Sequence, residues 1–245
     1  MPKKTRLDQA LVARGIIPSR EKASRQIMAG QVRINGQVAR KASQEVTEED
    51  KLELEAAEKF VSRGGHKLQG ALDHFKIKVE GKTCLDVGSS TGGFTDCLLQ
   101  AGAKKVYCVD VGDNQLDWKL RSDPRVVCRE GVNARYLRGE DFPEKIDLIT
   151  IDVSFISLEK ILPAALTTVA KDFEIIPLIK PQFEAGREQV GKAGVVRDVD
   201  IHSQVVERVK KFVENELKLA WIGVIESPLK GPAGNKEFLA YLRPL

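Results

Sequence analysis

The chain has 245 residues, 42% of them hydrophobic and 30% charged, with a formal net charge of +4. This is an ordinary globular composition, with room for one large domain or a large one plus a small one, and any face for a polyanion must come from local clustering of charge. No apolar run approaches ~18 residues, so no membrane-spanning helix is predicted, and no signal peptide is expected before the first predicted helix.

Cys84, Cys97, Cys108 and Cys128 lie in apolar strand or helix contexts without C-x-x-C spacing. They read as reduced core thiols of a cytoplasmic protein. His66, His74 and His202 are scattered, so no metal site is predicted.

From the N-terminus, Leu7, Ala10 and Leu11 mark a short amphipathic helix ending near Gly15. Ser19 can cap a second helix, with Glu21 in its first turn, Ala23 and Ile27 on one face, and Gly30 as its stop. Val32-Arg33-Ile34 and Gln37-Val38-Ala39 flank Asn35-Gly36, the pattern of a hairpin with a type I′ turn. Charge is segregated here. Residues 1–41 hold ten lysines and arginines against Asp8 and Glu21, a balance of +8. Residues 42–58 hold seven acids against Lys51, a balance of −6. A charge run is commonly a solvated face, but two small helices and a hairpin this rich in cations make a basic platform suited to RNA phosphates.

Residues 55–66, EAAEKFVSRGGH, read as a junction with a flexible break at Arg63-Gly64-Gly65. Lys67, Leu68, Ala71, Leu72 and Phe75 then follow helical spacing, with Lys67 at the helix start. A strand follows over Cys84 to Val87, then a tight turn of small residues from Gly88 to Gly93. Phe94 to Ala101 is a helix stopped by Gly102, and Val106 to Val109 is a second strand with Asp110 at its end. Strand, glycine turn, helix and strand in that order form a nucleotide-type cofactor unit. The glycines let backbone approach the ligand, and the strand-end acid accepts from ribose hydroxyls. The turn, G-S-S-T-G-G, is neither G-x-G-x-x-G nor a P-loop. Without a pyrophosphate signature, S-adenosylmethionine fits better, having ribose and adenine but an amino-acid tail in place of phosphates. The bland alternative is a plain βαβ unit.

Val111 to Leu116 lead into an apolar helix through Leu120, and Val126 to Cys128 form a third strand. The loop Glu130 to Arg135, which contains Asn133, lies beside the adenine pocket of a doubly wound sheet. Ile146 to Ile151 is a near-continuous apolar strand of the kind buried on both faces in parallel sheets, and Asp152 directly after it projects into the crevice. A helix is predicted over 157–169. A fifth strand over 174–179 ends in Lys180-Pro181-Gln182-Phe183. A glycine-rich, basic loop over 184–197, expected to be mobile, precedes a helix over 199–215. Strands over 219–225 and 238–242 close the chain, joined by a long connection, 227–237, that ends in Glu237.

Lys67, Asp152, Lys180 and Glu237 thus fall at element ends on one rim. Singly, each reads as an exposed charge. Together they resemble the Lys-Asp-Lys-Glu set of RNA ribose 2′-O-methyltransferases of the RrmJ/FtsJ type. Residues 6–54 resemble an S4 RNA-binding domain, most specifically in SREKASRQIMAG followed by VRINGQVA. With DVGSSTGGFT, VDVGDNQL, TIDVSFIS, PLIKPQFEAGREQVGKAGVVRD and GPAGNKEFL, the chain resembles the TlyA family nearly end to end. Departures are small: Ser89 stands where many members have Ala, and Asp113-Asn114 replaces an aromatic-Gly pair before Gln115.

The resemblance implies an α/β fold: a Rossmann-like, seven-stranded S-adenosylmethionine-dependent methyltransferase domain over 67–245. A linker, 60–66, and a small α+β S4 domain over 1–59 precede it. It implies 2′-O-methylation of cytidine in ribosomal RNA, within ribosomal subunits, by a cytoplasmic protein of a family often labelled haemolysins. It assigns catalysis to Lys67, Asp152, Lys180 and Glu237. It assigns the cofactor to Asp86, Gly88, Ser89, Ser90, Thr91, Gly92, Gly93, Phe94, Asp110, Gln115, Asn133 and Asp152. RNA contacts go to Arg6, Arg20, Lys22, Arg25, Arg33 and Arg63. Neither a metal nor a membrane is expected, and a monomer is favoured.

The nucleophile would be a ribose 2′-OH, a poor acid, and the electrophile a sulfonium methyl that needs no metal. The residues must then place the two in line and accept a proton. Lys180 can accept only as a neutral amine, a state that a second cation at Lys67 favours and nearby acids oppose. Asp152 and Glu237 would orient the lysines and the ribose. The sequence does not decide which group takes the proton. Three other readings differ in what they require. A small-molecule methyltransferase would not need the basic N-terminal module or the second lysine. A noncatalytic RNA-binding protein is expected to lose the glycine turn or the four charges. A membrane-lytic protein needs more than these short amphipathic helices.

Overall fold

The computed structural model describes residues 4–55, 58–191, 193–231 and 233–245. Lys3 of the basic stretch, Ala56 and Ala57 of the predicted junction, Lys192 of the basic loop and Pro232 of the last connection lie outside them. The chain divides into two compact units, Met1–Lys59 and Phe60–Leu245.

In the first unit β1 (Thr5–Arg6) leads into α1 (Leu7–Ala13) and α2 (Arg20–Met28), followed by β2 (Val32–Ile34), β3 (Gln37–Val38), β4 (Glu45–Val46) and β5 (Leu52–Leu54). Ser19 caps α2 by accepting from the Lys22 amide, a contact worth about 1 kcal/mol. Asn35 and Gly36 both take positive φ, 52° and 82°, the type I′ geometry whose twist suits the flanking strands. One sheet has the order β3-β2-β5, and β1 pairs with β4. The sequence predicts only the β2–β3 hairpin, because the two- and three-residue strands β4 and β5 carry acids and offer no period to read. Leu7, Leu11, Ile17, Ala23, Ile27 and Val32 pack together as the core of this unit.

The second unit contains α3 (Gly64–Phe75), β6 (Thr83–Val87), α4 (Gly93–Gln100), β7 (Lys105–Val109), α5 (Trp118–Arg121) and β8 (Val126–Arg129). It continues with β9 (Ile146–Ile151), α6 (Leu162–Ala165), β10 (Val169–Ile179), α7 (Pro181–Glu184), α8 (Val199–Asn215), β11 (Leu219–Glu226) and β12 (Phe238–Pro244). Seven strands run in the order β11-β12-β10-β9-β6-β7-β8. Neighbours from β10 to β8 are parallel, and β12 is antiparallel to both β10 and β11. This is the expected α/β, Rossmann-like sheet. Alternating residues feed two cores. Leu85, Val87, Ile149 and Ile151 meet Val205, Val209 and Val213 of α8 on one face. Cys84 and Leu148 meet Leu68, Ala71 and Leu72 of α3 on the other. Truncating a buried leucine such as Leu68 to alanine costs about 2–5 kcal/mol. The chain winds outward through β6, β7 and β8, then returns to lay β9 on the other side of β6. The topological switch point, where such sheets open a crevice, therefore lies between β6 and β9.

Two elements differ from the sequence-based expectation. Residues 60–66 belong to the second unit and hold no flexible break. Phe60 is buried, the Val61 amide donates to the Asp96 carboxylate at 2.9 Å, and Gly64 and Gly65 are the first residues of α3. The glycines serve close packing: a Cβ on Gly65 would fall 2.2 Å from Phe60 Cγ, and one on Gly93 2.3 Å from Ser62 Oγ. The predicted helix over 157–169 is broken into 3-10 turns at 158–160 and 166–168 around the four-residue α6, and Val169 already begins β10. Pro163, at the start of α6, cannot continue a preceding helical turn because it has no amide hydrogen to donate.

Candidate active site

The strand ends at the switch point are close. Gly88 follows β6 at φ +82°, and a Cβ there would stand 2.5 Å from the Asp152 carbonyl oxygen. The Asp152 amide donates to Val87 O at 2.8 Å. Beside them lies a cleft of about 490 Å³, lined by the polar Asp110, Gln115, Asn133 and Asp152, by Gly88, and by the apolar Val111, Val132, Phe155 and Ile161. A mainly apolar pocket of this size with a few convergent polar groups suits a small organic ligand. Asp110 accepts one backbone hydrogen bond on each oxygen, from Ser90 N and Gly112 N, both at 2.8 Å. Each oxygen keeps a further lone pair for a hydroxyl donor. Glu130 holds the turn before α5 by accepting from the amides of Gln115 and Leu116. Arg121, at 2.7 Å, pulls its carboxyl down to about 2.

Of the predicted cofactor set, Gly88, Asp110, Gln115, Asn133 and Asp152 line the cleft. The others do not. Asp86 is fully buried, with its two oxygens accepting from Thr95 Oγ1 at 2.7 Å and Thr150 Oγ1 at 3.0 Å. Burial pushes its carboxyl up to about 7, and the residue ties β6 to α4 and β9. Phe94 is a core residue, Gly92 packs under Leu116 and Leu120, and Gly93 packs on Ser62. Ser89 is buried. Ser90 and Thr91 shape the turn: the Ser90 amide holds Asp110, and the Thr91 carbonyl accepts from Asp117 N at 3.1 Å.

The four charges form two tight pairs. Lys67 Nζ lies 2.5 Å from Glu237 Oε2, and Lys180 Nζ lies 2.6 Å from Asp152 Oδ1. Lys67 and Lys180 are each only 8% exposed and Glu237 only 1%, so these are not the solvated charges each would be singly. Sheet register explains their meeting. Ile179 stands opposite Phe238 in the antiparallel β10–β12 pair, which puts Lys180 and Glu237 just past the same end. Pro177 stands opposite Ile151 in the parallel β9–β10 pair, which puts Asp152 at that end too. Among the described residues Glu237 Oε1 is buried with no hydrogen-bond partner, leaving an acceptor for a further donor.

Two residues outside the predicted set belong here. Ser154 lines the cleft, and its Oγ accepts from Lys180 Nζ at 3.0 Å. Phe155 is 90% exposed at φ +63°, with its ring 4.9 Å from that of Phe183. A bulky residue held at positive φ is a strained position of the kind that clusters at functional sites. The available signal was position: both follow Asp152 on the same strand end. Behind them, buried Glu184 accepts from Ser157 Oγ at 2.7 Å and Leu158 N at 2.8 Å, which fixes the far end of that loop.

In the first unit the predicted RNA-binding cations are placed unequally. Arg6 and Arg20 share the buried carboxylate of Asp8, at 3.0 and 3.1 Å. The Arg6 guanidinium holds that carboxyl below the usual range. Lys22 and Arg25 are exposed on α2, Arg25 facing Glu21 at 3.6 Å. Arg33 is half-buried, pairs with Glu55 at 2.5 Å and donates to Gly36 O, so its charge is largely spent within the unit. Arg63 belongs to the second unit, exposed at the start of α3.

The model of the FtsJ-like methyltransferase family matches residues 60–243, and that of the S4 domain matches residues 5–52. A Mycobacterium tuberculosis protein named 16S/23S rRNA (cytidine-2'-O)-methyltransferase TlyA is 46% identical over 99% of this chain and 91% of its own. The chain belongs to the TlyA family. Among its TlyA-family relatives, Hemolysin A of Brachyspira hyodysenteriae is 43% identical over 96% of this chain and 98% of its own. A solved structure described as a candidate hemolysin from Streptococcus thermophilus covers 100% of this chain and 89% of its own, at 45% identity and a TM-score of 0.75. Among the described residues of this TlyA-family chain, no helix is long and apolar enough to cross a membrane.

Proposed function

We propose that this chain transfers a methyl group from S-adenosylmethionine to the 2′-oxygen of a cytidine ribose in ribosomal RNA, within ribosomal subunits in the cytoplasm. One observation carries the reading: two lysine–acid pairs, the buried Lys67–Glu237 and Lys180–Asp152 with its lysine buried, stand at neighbouring strand ends, and Asp152 also lines the cleft that holds Asp110. The donor set fits the cofactor. Asp110 has lone pairs left for ribose hydroxyls, Val111, Val132 and Asn133 would flank the adenine, and Gly88 and Asp152 would take the amino-acid tail.

When bound, S-adenosylmethionine supplies an electrophilic methyl on a sulfonium. The chain supplies position and a proton acceptor. Lys180, held by Asp152 and Ser154, and Lys67, held by Glu237, would fix the ribose so that its 2′-oxygen points at the methyl. As the oxygen–carbon bond forms and the methyl carbon–sulfur bond breaks, its electron pair would leave on sulfur as a neutral thioether, S-adenosylhomocysteine, and the 2′ proton would pass to Asp152 or to Lys180 in its neutral form. The first unit, with Arg6, Arg20, Lys22 and Arg25, would supply RNA affinity. The test is to incubate the protein with methyl-labelled S-adenosylmethionine and ribosomal subunits from a strain lacking this gene, then digest the RNA to nucleosides. Label is expected in 2′-O-methylcytidine. Label on a base, or none in RNA, would contradict the reading.

A further inference from the structure

The loop before α8 and the connection before β12 are stapled by one buried side chain. Asn235, 2% exposed, accepts from the Val196 amide at 2.9 Å and donates to the Gly194 carbonyl at 2.9 Å. From α8, buried His202 brings Nε2 within 2.9 Å of the Val196 carbonyl and sets its ring against Phe238. Both polar groups of the Val196 backbone are therefore held from inside. The two segments border a cleft of about 350 Å³ whose lining includes Arg197, His202, Lys230, Gly234 and Lys236.

Among the described residues three cations line this cleft and no carboxylate does. Of the nearby acids, Glu226 pairs with Lys236 at 2.9 Å, and Asp198 caps α8 by accepting from the Asp200 amide. Among the described residues Arg197 and Lys230 have no ion-pair partner. Gly234 sits at φ +87° with nothing within 4 Å of where a Cβ would be, so the backbone there is open to close approach. Lys236 directly precedes Glu237, so the cleft adjoins the Lys67–Glu237 pair along the chain.

We propose that this cleft binds a phosphodiester of the substrate RNA next to the nucleotide that is methylated; this rests on the RNA-methyltransferase reading above. A ribose held by Lys67 and Glu237 carries a phosphate on each side, and a backbone running along this strand end would bring one of them to the cleft. Arg197 offers a planar fork matched to phosphate oxygens, and Lys230 adds a point charge.

The test uses the full chain and the ribosomal RNA that the wild type methylates. Arg197→Glu with Lys230→Glu should lower RNA affinity about tenfold or more. It should also reduce the steepness of log affinity against log salt by about 1.4–1.8, two contacts at roughly 0.7–0.9 each. Affinity for S-adenosylmethionine should stay at the wild-type value. Arg197→Lys with Lys230→Arg should restore most of the salt slope. Arg197→Gln with Lys230→Gln serves if charge reversal prevents folding, with the same loss of slope expected. Unchanged RNA affinity and slope, with wild-type methylation intact, would overturn the cleft and leave the activity standing. Failure of the wild type to methylate any RNA would instead overturn the activity, and the cleft assignment with it. Inorganic phosphate at matched ionic strength should compete weakly; complete competition would make this a small-anion site and overturn the RNA assignment.

Discussion

At Asp86 the chain keeps a carboxyl out of water between two threonine hydroxyls. Burial raises it to about 7, whereas in the unfolded chain it ionises near ~4. Below ~4 both states hold the proton and burial of the group carries no charge penalty. Between about 4 and 7 only the folded state holds it, so its effect on stability becomes more unfavourable as pH rises through that window, then levels off. Asp86→Asn should flatten this dependence, read as urea midpoints from pH 4 to 8; equal slopes in variant and wild type would show that Asp86 bears no such penalty. Asp110 has the opposite setting, at a strand end with lone pairs to spare. Asp110→Ala should weaken S-adenosylmethionine binding by about 1.5–3 kcal/mol. Calorimetry on the folded variant measures it, and an unchanged dissociation constant removes Asp110 from the site. The two acids also show what a sequence can carry. Asp110 is legible because a strand end is a local feature. Asp86 is not, because the hydroxyls that bury it come from Thr95 and from Thr150, which lies 64 positions away. Ser154 carries a local signal only in following Asp152; its contact with Lys180, at the end of the next strand of the sheet, is not local.

At the scale of elements, the hairpin at Asn35-Gly36 and the α8 helix follow from turn chemistry and from apolar period, both local. The broken stretch 157–169 does so only in part: Pro163 is a local break, but the early start of β10 at Val169 is decided by pairing with Ile146 of β9. The glycine break at 63–65 is likewise a packing feature that composition presents as a hinge. Gly88 is the element junction on which the site depends, since it lets β6 and β9 end within contact of each other. Gly88→Ala adds a Cβ at φ +82° and 2.5 Å from the Asp152 carbonyl. The strain should cost about 1–3 kcal/mol and displace Asp152, so both thermal stability and methyl transfer should fall. A variant that melts and methylates like the wild type would contradict this account of the junction.

Across the whole chain, the arginines of α2 and the cleft proposed for the cofactor lie in different units: Arg20 and Arg25 in Met1–Lys59, and Asp110 with its cleft in Phe60–Leu245. Arg20→Glu with Arg25→Glu should weaken RNA binding and flatten its salt dependence by about 1.4–1.8 in slope, while leaving cofactor affinity alone. Methyl transfer should then recover in part at high RNA concentration. A salt titration of RNA affinity checks this, and superimposable lines for wild type and variant would remove these arginines from the RNA face. The central claim is that Lys180, fixed by Asp152 and Ser154, acts in the transfer itself. Its most direct test is single-turnover methylation of ribosomal RNA by Lys180→Ala, with calorimetry of S-adenosylmethionine on the same preparation. The account predicts cofactor affinity within a few-fold of wild type and no detectable 2′-O-methylcytidine. A near-normal single-turnover rate would contradict it.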